Sequence, residues 1–358
     1  MSATKQSPCL FEQGDNQAGE AAKMKKSISL LGVTLALGVA LAPAESRAEA
    51  TEVRFAKQYG IAYLQLMVME DHQLVEKQAK AAGIPLKSVS WNTFTGGAAV
   101  NDALLSGAVD FVGGGIGAFV TMWSRTKGIL DVKAVGSLVK MPMLLNTRNP
   151  NVKSIADFTD KDRIALPAVR ISPQAVTLQA AAAKMFGDKS FDKFDSLTVS
   201  LGHPDAMQAL SSGSSEITAH FTTPPYQYQQ LRMPGVRTVL NSYDVWGPQT
   251  ATIVWAGSKF VKENPKLYAA SVKALEEATD WINKNKTEAA KLYLRMSKDK
   301  ETVENILAML NDPQIEFTMT PHNLMAFVNF KHRTGTMKVV PATWKDLFFP
   351  NAHALSGS

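Results

Sequence analysis

Cysteine is nearly missing: the 358 residues contain one, Cys9, so an intrachain disulfide, a Cys-based zinc site and a redox pair are all excluded. Runs of like charge are missing too. Lys and Arg number 38 against 32 Asp and Glu, a net +6, but the basic residues are dispersed and no basic face is interleaved with aromatics, so nucleic-acid binding finds no support. The longest uncharged apolar run, Ile28 to Ala42, has 15 residues, short of the about 20 that span a membrane. There is no phosphate loop, no Gly-x-Ser-x-Gly elbow and no His-Glu-x-x-His. The six histidines, His72, His203, His220, His322, His332 and His353, show no metal-ligand spacing, so neither a metal nor a cofactor is expected.

What is present is ordinary globular composition, 45% hydrophobic and 20% charged. Lys25 and Lys26 precede the apolar run, which is followed by Pro43 and two Ala-x-Ala sites, Ala42 to Ala44 and Ala48 to Ala50, the order of a secretory signal peptide. The expected cut falls after Ala50, just ahead of the first strand-like segment, with residues 1–23 as an upstream extension. Removing residues 1–50 takes five basic and five acidic residues together with Cys9, leaving a soluble, thiol-free, exported chain of unchanged charge.

Strand-like runs at Val53 to Ala56, Val109 to Val112, Lys133 to Val139, Arg163 to Leu166, Ser196 to Leu201 and Thr252 to Trp255 alternate with helical patterns, which predicts an α/β fold with mostly parallel sheets. Pro265 to Asn283 reads as a core-facing helix capped by Asn264, with Trp281 on its packing face; further helices are expected at Thr287 to Met296, Lys300 to Leu310 and from Pro321 to near Gly335. A unit of helix, glycine turn, acid and strand occurs twice, at Ala103-Leu104-Leu105-Ser106-Gly107 with Asp110 and at Ala209-Leu210-Ser211-Ser212-Gly213 with Glu216, as two similar lobes would require and as a common helix ending would also give.

Open α/β sheets bind ligands beyond the C-terminal ends of their strands. The candidates there are Gln58, Tyr59, Thr95, Gly96, Gly97, Gly114 and Gly115 in the first lobe, and Arg170, Ser172, His220 and Phe221 in the second. Gly113-x-Gly115-x-x-Ala118 fits a relaxed dinucleotide fingerprint, but the next strand ends without an acid for a ribose, so these glycines read as close backbone approach to a smaller ligand. Arg170, in the loop that Ser172 and Pro173 turn into a helix, is a candidate anion clamp with that helix's free amides, or else a surface arginine. His220 could donate to a ligand or bond to neighbouring backbone.

Trp91 with Gly96-Gly97, the phrase Asp102-Ala103-Leu104-x-Ser106-Gly107-x-x-Asp110-Phe111, Gly113-Gly114-Gly115, and His203-Pro204-Asp205-Ala206 with Ala209-Leu210 together resemble the periplasmic solute-binding proteins of the nitrate, sulfonate and taurine type, a group that includes binders of thiamine-pyrimidine precursors. The resemblance implies a two-lobe periplasmic-binding-protein fold (type II) with a ligand cleft between the lobes. It also implies a monomer that delivers its small-molecule ligand to an ABC permease in the inner membrane, which works with a cytoplasmic ATPase. Crossings are expected near Met141 to Thr147 and Trp246 to Gly257, giving a first lobe over 51–146 and 247–358 and a second over 147–246. Pro167 to Gln174 departs from the glycine and serine turn usual in sulfonate binders, so the ligand class stays open. Arg170 favours an organic anion; Tyr59, Trp91, Phe221 and Trp246 suit a planar heterocycle, although each could be core, Trp91 above all. A fold-related, pyrimidine-forming enzyme would carry a cysteine-rich iron motif that the exported chain lacks, and a ligand sensor would share the fold.

Overall fold

The structure is a computed structural model describing residues 48–358; the upstream extension and the signal peptide, apart from Ala48 to Ala50, lie outside the described residues. β-branched and aromatic runs bounded by Gly and Pro form two mixed sheets. The strands are β1 Glu52–Lys57, β2 Ser88–Thr93, β3 Phe111–Gly115, β4 Val132–Lys140, β5 Leu144–Thr147, β6 Ile164–Leu166, β7 Thr198–Ser200, β8 Ala219–Thr222, β9 Arg237–Asn241, β10 Thr250–Gly257 and β11 Glu316–Phe317. The first sheet has the order β11-β4-β10-β3-β1-β2 and the second β7-β6-β8-β5-β9.

The expectation of mostly parallel sheets needs correction. Only β1–β2, β1–β3, β6–β7 and β6–β8 are parallel, and the other five pairs are antiparallel. The cause is the chain's traffic between sheets: β5 enters the second sheet directly from β4 of the first, and β10 returns to the first after β9. Neither arrives through a βαβ crossover, so each runs against its neighbours. β10 is buried along Thr250–Ala256, as a strand with both faces covered must be.

The helices are α1 Leu64–Asp71, α2 Leu74–Ala81, α3 Gly97–Leu105, α4 Ile116–Thr126, α5 Pro173–Phe186, α6 His203–Ser212, α7 Tyr226–Leu231, α8 Ser242–Trp246, α9 Ser258–Glu263, α10 Pro265–Lys284, α11 Lys286–Ser297, α12 Val303–Leu310 and α13 Leu324–Arg333. The repeated unit takes the same local form twice. α3 and α6 both end in a glycine in the left-handed region, Gly107 (φ 72°) and Gly213 (φ 73°), before strands β3 and β8. In the first sheet Phe55 stacks between Trp91 and Phe111, with ring centroids 4.4 and 4.8 Å away.

Two helix starts differ from expectation. α13 begins at Leu324 rather than at Pro321, because Asn323 takes a left-handed conformation (φ 51°). At α10, Asn264 occupies the cap position but its side chain does not cap; its Oδ1 accepts from the backbone N–H of Ala50. The Glu49 carboxylate caps instead, accepting from the N–H groups of Lys266 (2.9 Å) and Leu267 (2.7 Å), where a negative charge is favoured.

Candidate functional site

Glycine and proline fix where the lobes meet. On the first-sheet side lie the bare backbones of Gly96 before α3, Gly115 at the end of β3 and Gly117 in the first turn of α4; opposite them lies the second-sheet segment Pro167–Pro173 that leads into α5. A Cβ added at Gly96 would lie under 3.0 Å from the Pro167 carbonyl oxygen, one at Gly117 equally close to the Ile171 carbonyl oxygen, and one at Gly115 2.6 Å from Pro173 Cδ. Only glycine permits this approach.

Beside this contact is a cavity of about 30 Å³, room for about two water molecules. It is lined from the first-sheet side by Gln58, Tyr59, Tyr63, Thr95, Gly97, Gly115 and Thr252, and from the second by Pro167, Ser172, Pro173, Gln174, His203 and Thr223. Gln58 and Tyr59 also line a wider, open groove of about 990 Å³ that carries Lys57, Trp91, Tyr226, Arg232, Lys298 and Glu301.

Four helices begin at the cavity. Gly96, Gly115, Ser172 and Gly202 are the cap residues of α3, α4, α5 and α6, each eight or more residues long, and Gly97, Gly115, Ser172 and His203 line the space. Ser172 caps as the sequence predicts, its hydroxyl accepting from the N–H of Ala175 (3.2 Å) with Pro173 in the first turn. The remaining first-turn amides carry the partial positive charge of the helix dipoles. Two buried amide side chains add unpartnered atoms here: Gln58 Nε2 and Gln174 Oε1 have no partner among the described residues. No Lys, Arg, Asp or Glu lines the cavity.

The sequence candidates divide. Gln58, Tyr59, Thr95, Gly97, Gly115 and Ser172 come together on the cavity. Gly96 sits at its edge against Pro167, and Gly114 lies behind Gln58 against the Trp255 ring. Arg170 is elsewhere: its backbone is left-handed (φ 62°), its guanidinium bonds the Asp195 carboxylate at 3.0 Å, and its side chain is 71% exposed on a separate groove. The expected clamp is therefore not assembled. His220 and Phe221 are buried inside the second lobe, Phe221 in its apolar core. Trp246 packs on Phe327 and Phe330 and donates its indole N–H to the Thr177 hydroxyl (2.9 Å). Sequence reasoning missed Gln174 and His203 as lining residues. His203-Pro204-Asp205 opens a helix after a strand, as Ser172-Pro173-Gln174 does, and that shared position was the available signal.

Two mixed sheets, a chain that crosses between them and a cavity lined from both sides define the periplasmic-binding-protein fold. The chain belongs to the NMT1-like family, whose sequence model matches residues 46–295. Among solved structures, it is similar to the alkanesulfonate-binding protein SsuA from Xanthomonas axonopodis pv. citri bound to MOPS (17% identity, TM-score 0.63, covering 85% of this chain and 98% of that one). It is also similar to the periplasmic nitrate-binding protein NrtA from Synechocystis PCC 6803 (15% identity, TM-score 0.63, covering 83% and 84%). The periplasmic aliphatic sulphonate binding protein SsuA from Escherichia coli aligns at 17% identity and TM-score 0.59, covering 84% and 92%. Comparison with curated protein sequences finds no match.

Proposed function

We propose that the chain is the extracytoplasmic solute-binding component of an ABC import system, and that its cleft takes a small organic anion, a sulfonate, a nitrate-like ion or a carboxylate, for delivery to a membrane permease and its ATPase. The observation that carries this reading is the convergence of four helix N-termini and the buried, unpartnered Gln58 Nε2 on one cavity free of carboxylates. Free amides and dipoles solvate an anion without a cationic side chain. The cavity is far smaller than an ordinary ligand site of roughly 300 Å³ or more, so the lobes separate to admit a ligand, bending where the chain passes between sheets at residues 141–143 and 242–249.

The test is a low-salt melting screen of the exported chain against nitrate, methanesulfonate, benzenesulfonate, benzoate and neutral pyrimidines. Ligand at 100 times its Kd adds about 2.7 kcal/mol. Stabilisation confined to anions supports the reading. Stabilisation by neutral pyrimidines alone overturns it in favour of a heterocycle binder, a second reading favoured by the lack of Lys and Arg on the cavity and by its Tyr59 and Tyr63. Arg170→Ala is expected to leave anion affinity within two-fold of wild type, about 0.4 kcal/mol, because its charge is spent on Asp195. A ten-fold loss by calorimetry would return Arg170 to the site.

The signal-peptide pattern fits the same role, and the Glu49 cap bears on processing. A cut after Ala50 removes Glu49 and the Ala50 N–H that bonds Asn264; a cut after Ala44 keeps both. On this ground we propose the cut after Ala44 in place of the one expected after Ala50: mass spectrometry of the exported chain should show Glu45 at the N-terminus, and Glu49→Ala is expected to lower stability by about 1 kcal/mol. An N-terminus at Thr51 would refute the earlier cut.

A further inference from the structure

Behind the cavity, the second lobe buries a line of polar side chains whose proton positions are dictated from one end. Asn146 Nδ2 donates to the Gln227 backbone carbonyl (3.0 Å), which can only accept, and Thr238 donates its hydroxyl to Asn146 Oδ1 (2.7 Å), so the Asn146 amide has one orientation. Its second N–H donates to Gln230 Oε1 (3.1 Å), which turns Gln230 Nε2 toward His220 Nδ1 as a donor at 2.6 Å. A neutral His220 then holds its proton on Nε2, 3.0 Å from His203 Nδ1. His203 Nδ1, which the Thr222 hydroxyl also approaches at 3.0 Å, accepts, and His203 holds its proton on Nε2, facing the Gln174 amide at 3.5 Å. Asn146, Gln230 and His220 are fully buried and His203 and Gln174 nearly so.

We propose that this relay, running from the Gln227 carbonyl through Asn146, Gln230, His220 and His203 to Gln174, fixes the second-lobe side of the cleft as a hydrogen-bond donor. It selects ligand groups that only accept. The proposal rests on the anion reading of the cleft for its ligand, but not for its geometry. The last link follows from the His203 N–H. A Gln174 nitrogen turned toward the ring sets donor against donor; a 180° rotation of the amide, which changes no shape, lets Oε1 accept from His203 and puts the NH₂ where an unpartnered atom now stands. Burial keeps both rings neutral, pushing the His203 pKa down to about 3 and that of His220 well below its usual range, the latter also because two imidazolium rings this close would repel. Gln174 is thus a ligand-contacting residue, whereas His203, His220, Gln230 and Asn146 are positioning residues for it. A deprotonated sulfonate or carboxylate satisfies such a site; a ligand that presents an N–H or O–H there leaves two donors opposed.

The test is a ¹⁵N–¹H correlation spectrum of the histidine side chains in the full exported chain at pH 7, assigned with His203→Gln and His220→Gln. Both rings are expected as Nε2–H tautomers, without imidazolium. In Gln230→Leu, which leaves the cavity lining intact, His203 is expected to lose its single tautomer and methanesulfonate affinity to fall on the order of ten-fold. An Nδ1–H or charged His203 in the wild type, or unchanged tautomers in Gln230→Leu, overturns the relay. Nε2–H on both rings in a protein that no anion stabilises sustains the relay and overturns the anion reading instead.

Discussion

Gly117→Ala is expected to yield a folded protein that binds its ligand on the order of a hundred-fold more weakly. Within α4 the substitution is locally favourable, since alanine is preferred to glycine in a helix by up to about 1 kcal/mol. The new methyl, however, meets the Ile171 carbonyl oxygen inside 3.0 Å and crowds the Ser172 and Pro173 backbone. A flexible side chain could step aside, but backbone in the loop that starts α5 moves only with the lobe that carries it. The least costly relief is to hold the lobes apart. Apparent affinity scales with the fraction of molecules able to close, so lowering that fraction to about one per cent gives the hundred-fold loss. Small-angle scattering should show a larger radius of gyration that ligand no longer reduces, while the melting temperature is held or raised. Gly257→Ala is the control, since its Cβ would meet nothing within 4 Å. A Gly117→Ala protein that closes and binds normally would show that this contact yields locally and does not gate the cleft.

How much of this was legible depends on how each feature is encoded. Helix starts are written in local chemistry, so Thr95, Gly97, Gly115 and Ser172 could be placed at the cavity from their positions after strands. Arg170 misled because charge is the loudest sequence signal for an anion site. Its fate was settled by a left-handed backbone and by Asp195, 25 residues away in the chain, neither of which a local pattern encodes. His220 was legible as a strand-end histidine near the site, but the lining ring is His203, and the period-two alternation of β8 does not say which side chain meets which across the fold. Gln174 carries no motif, and an amide becomes functional only by being buried without a partner. Helix α10, by contrast, was readable almost to the residue, because its apolar stripe of Leu267, Ala270, Ala274, Leu275, Ala278 and Ile282 is a one-dimensional pattern. Strand β9 went unseen because it is short, half-polar and paired only with a distant segment, whereas β5 falls inside the crossing expected near Met141 to Thr147. The antiparallel character of both sheets went unseen with β9.

Acid is expected to unfold this protein well before its carboxylates are titrated, and the cause is the buried histidine pair. In the folded chain the His203 imidazolium forms only near pH 3, and His220 is depressed in the same direction, whereas both take up protons near pH 6.5 once unfolded. The unfolded state therefore binds more protons between these limits, and stability rises with pH across the window. The His203 contribution is fully present above about pH 6.5 and is lost as pH falls toward 3, at about 1.4 kcal/mol per pH unit, and His220 adds to it in the same direction. His203 alone then removes about 3 kcal/mol by pH 4, a large share of the stability of an ordinary domain. Asp162, whose carboxylate accepts from Thr159, Asn149 and Thr218, weakens in the same direction at lower pH, because burial raises its pKa less than these hydrogen bonds lower it. Denaturant titrations at pH 7, 6, 5 and 4 separate the two: His203→Gln/His220→Gln is expected to flatten the profile between pH 6.5 and 4.5 while leaving the carboxylate limb below it. A double variant as acid-sensitive as wild type in that range would show that the pair is protonated without unfolding, which the relay of donors behind the cleft does not allow.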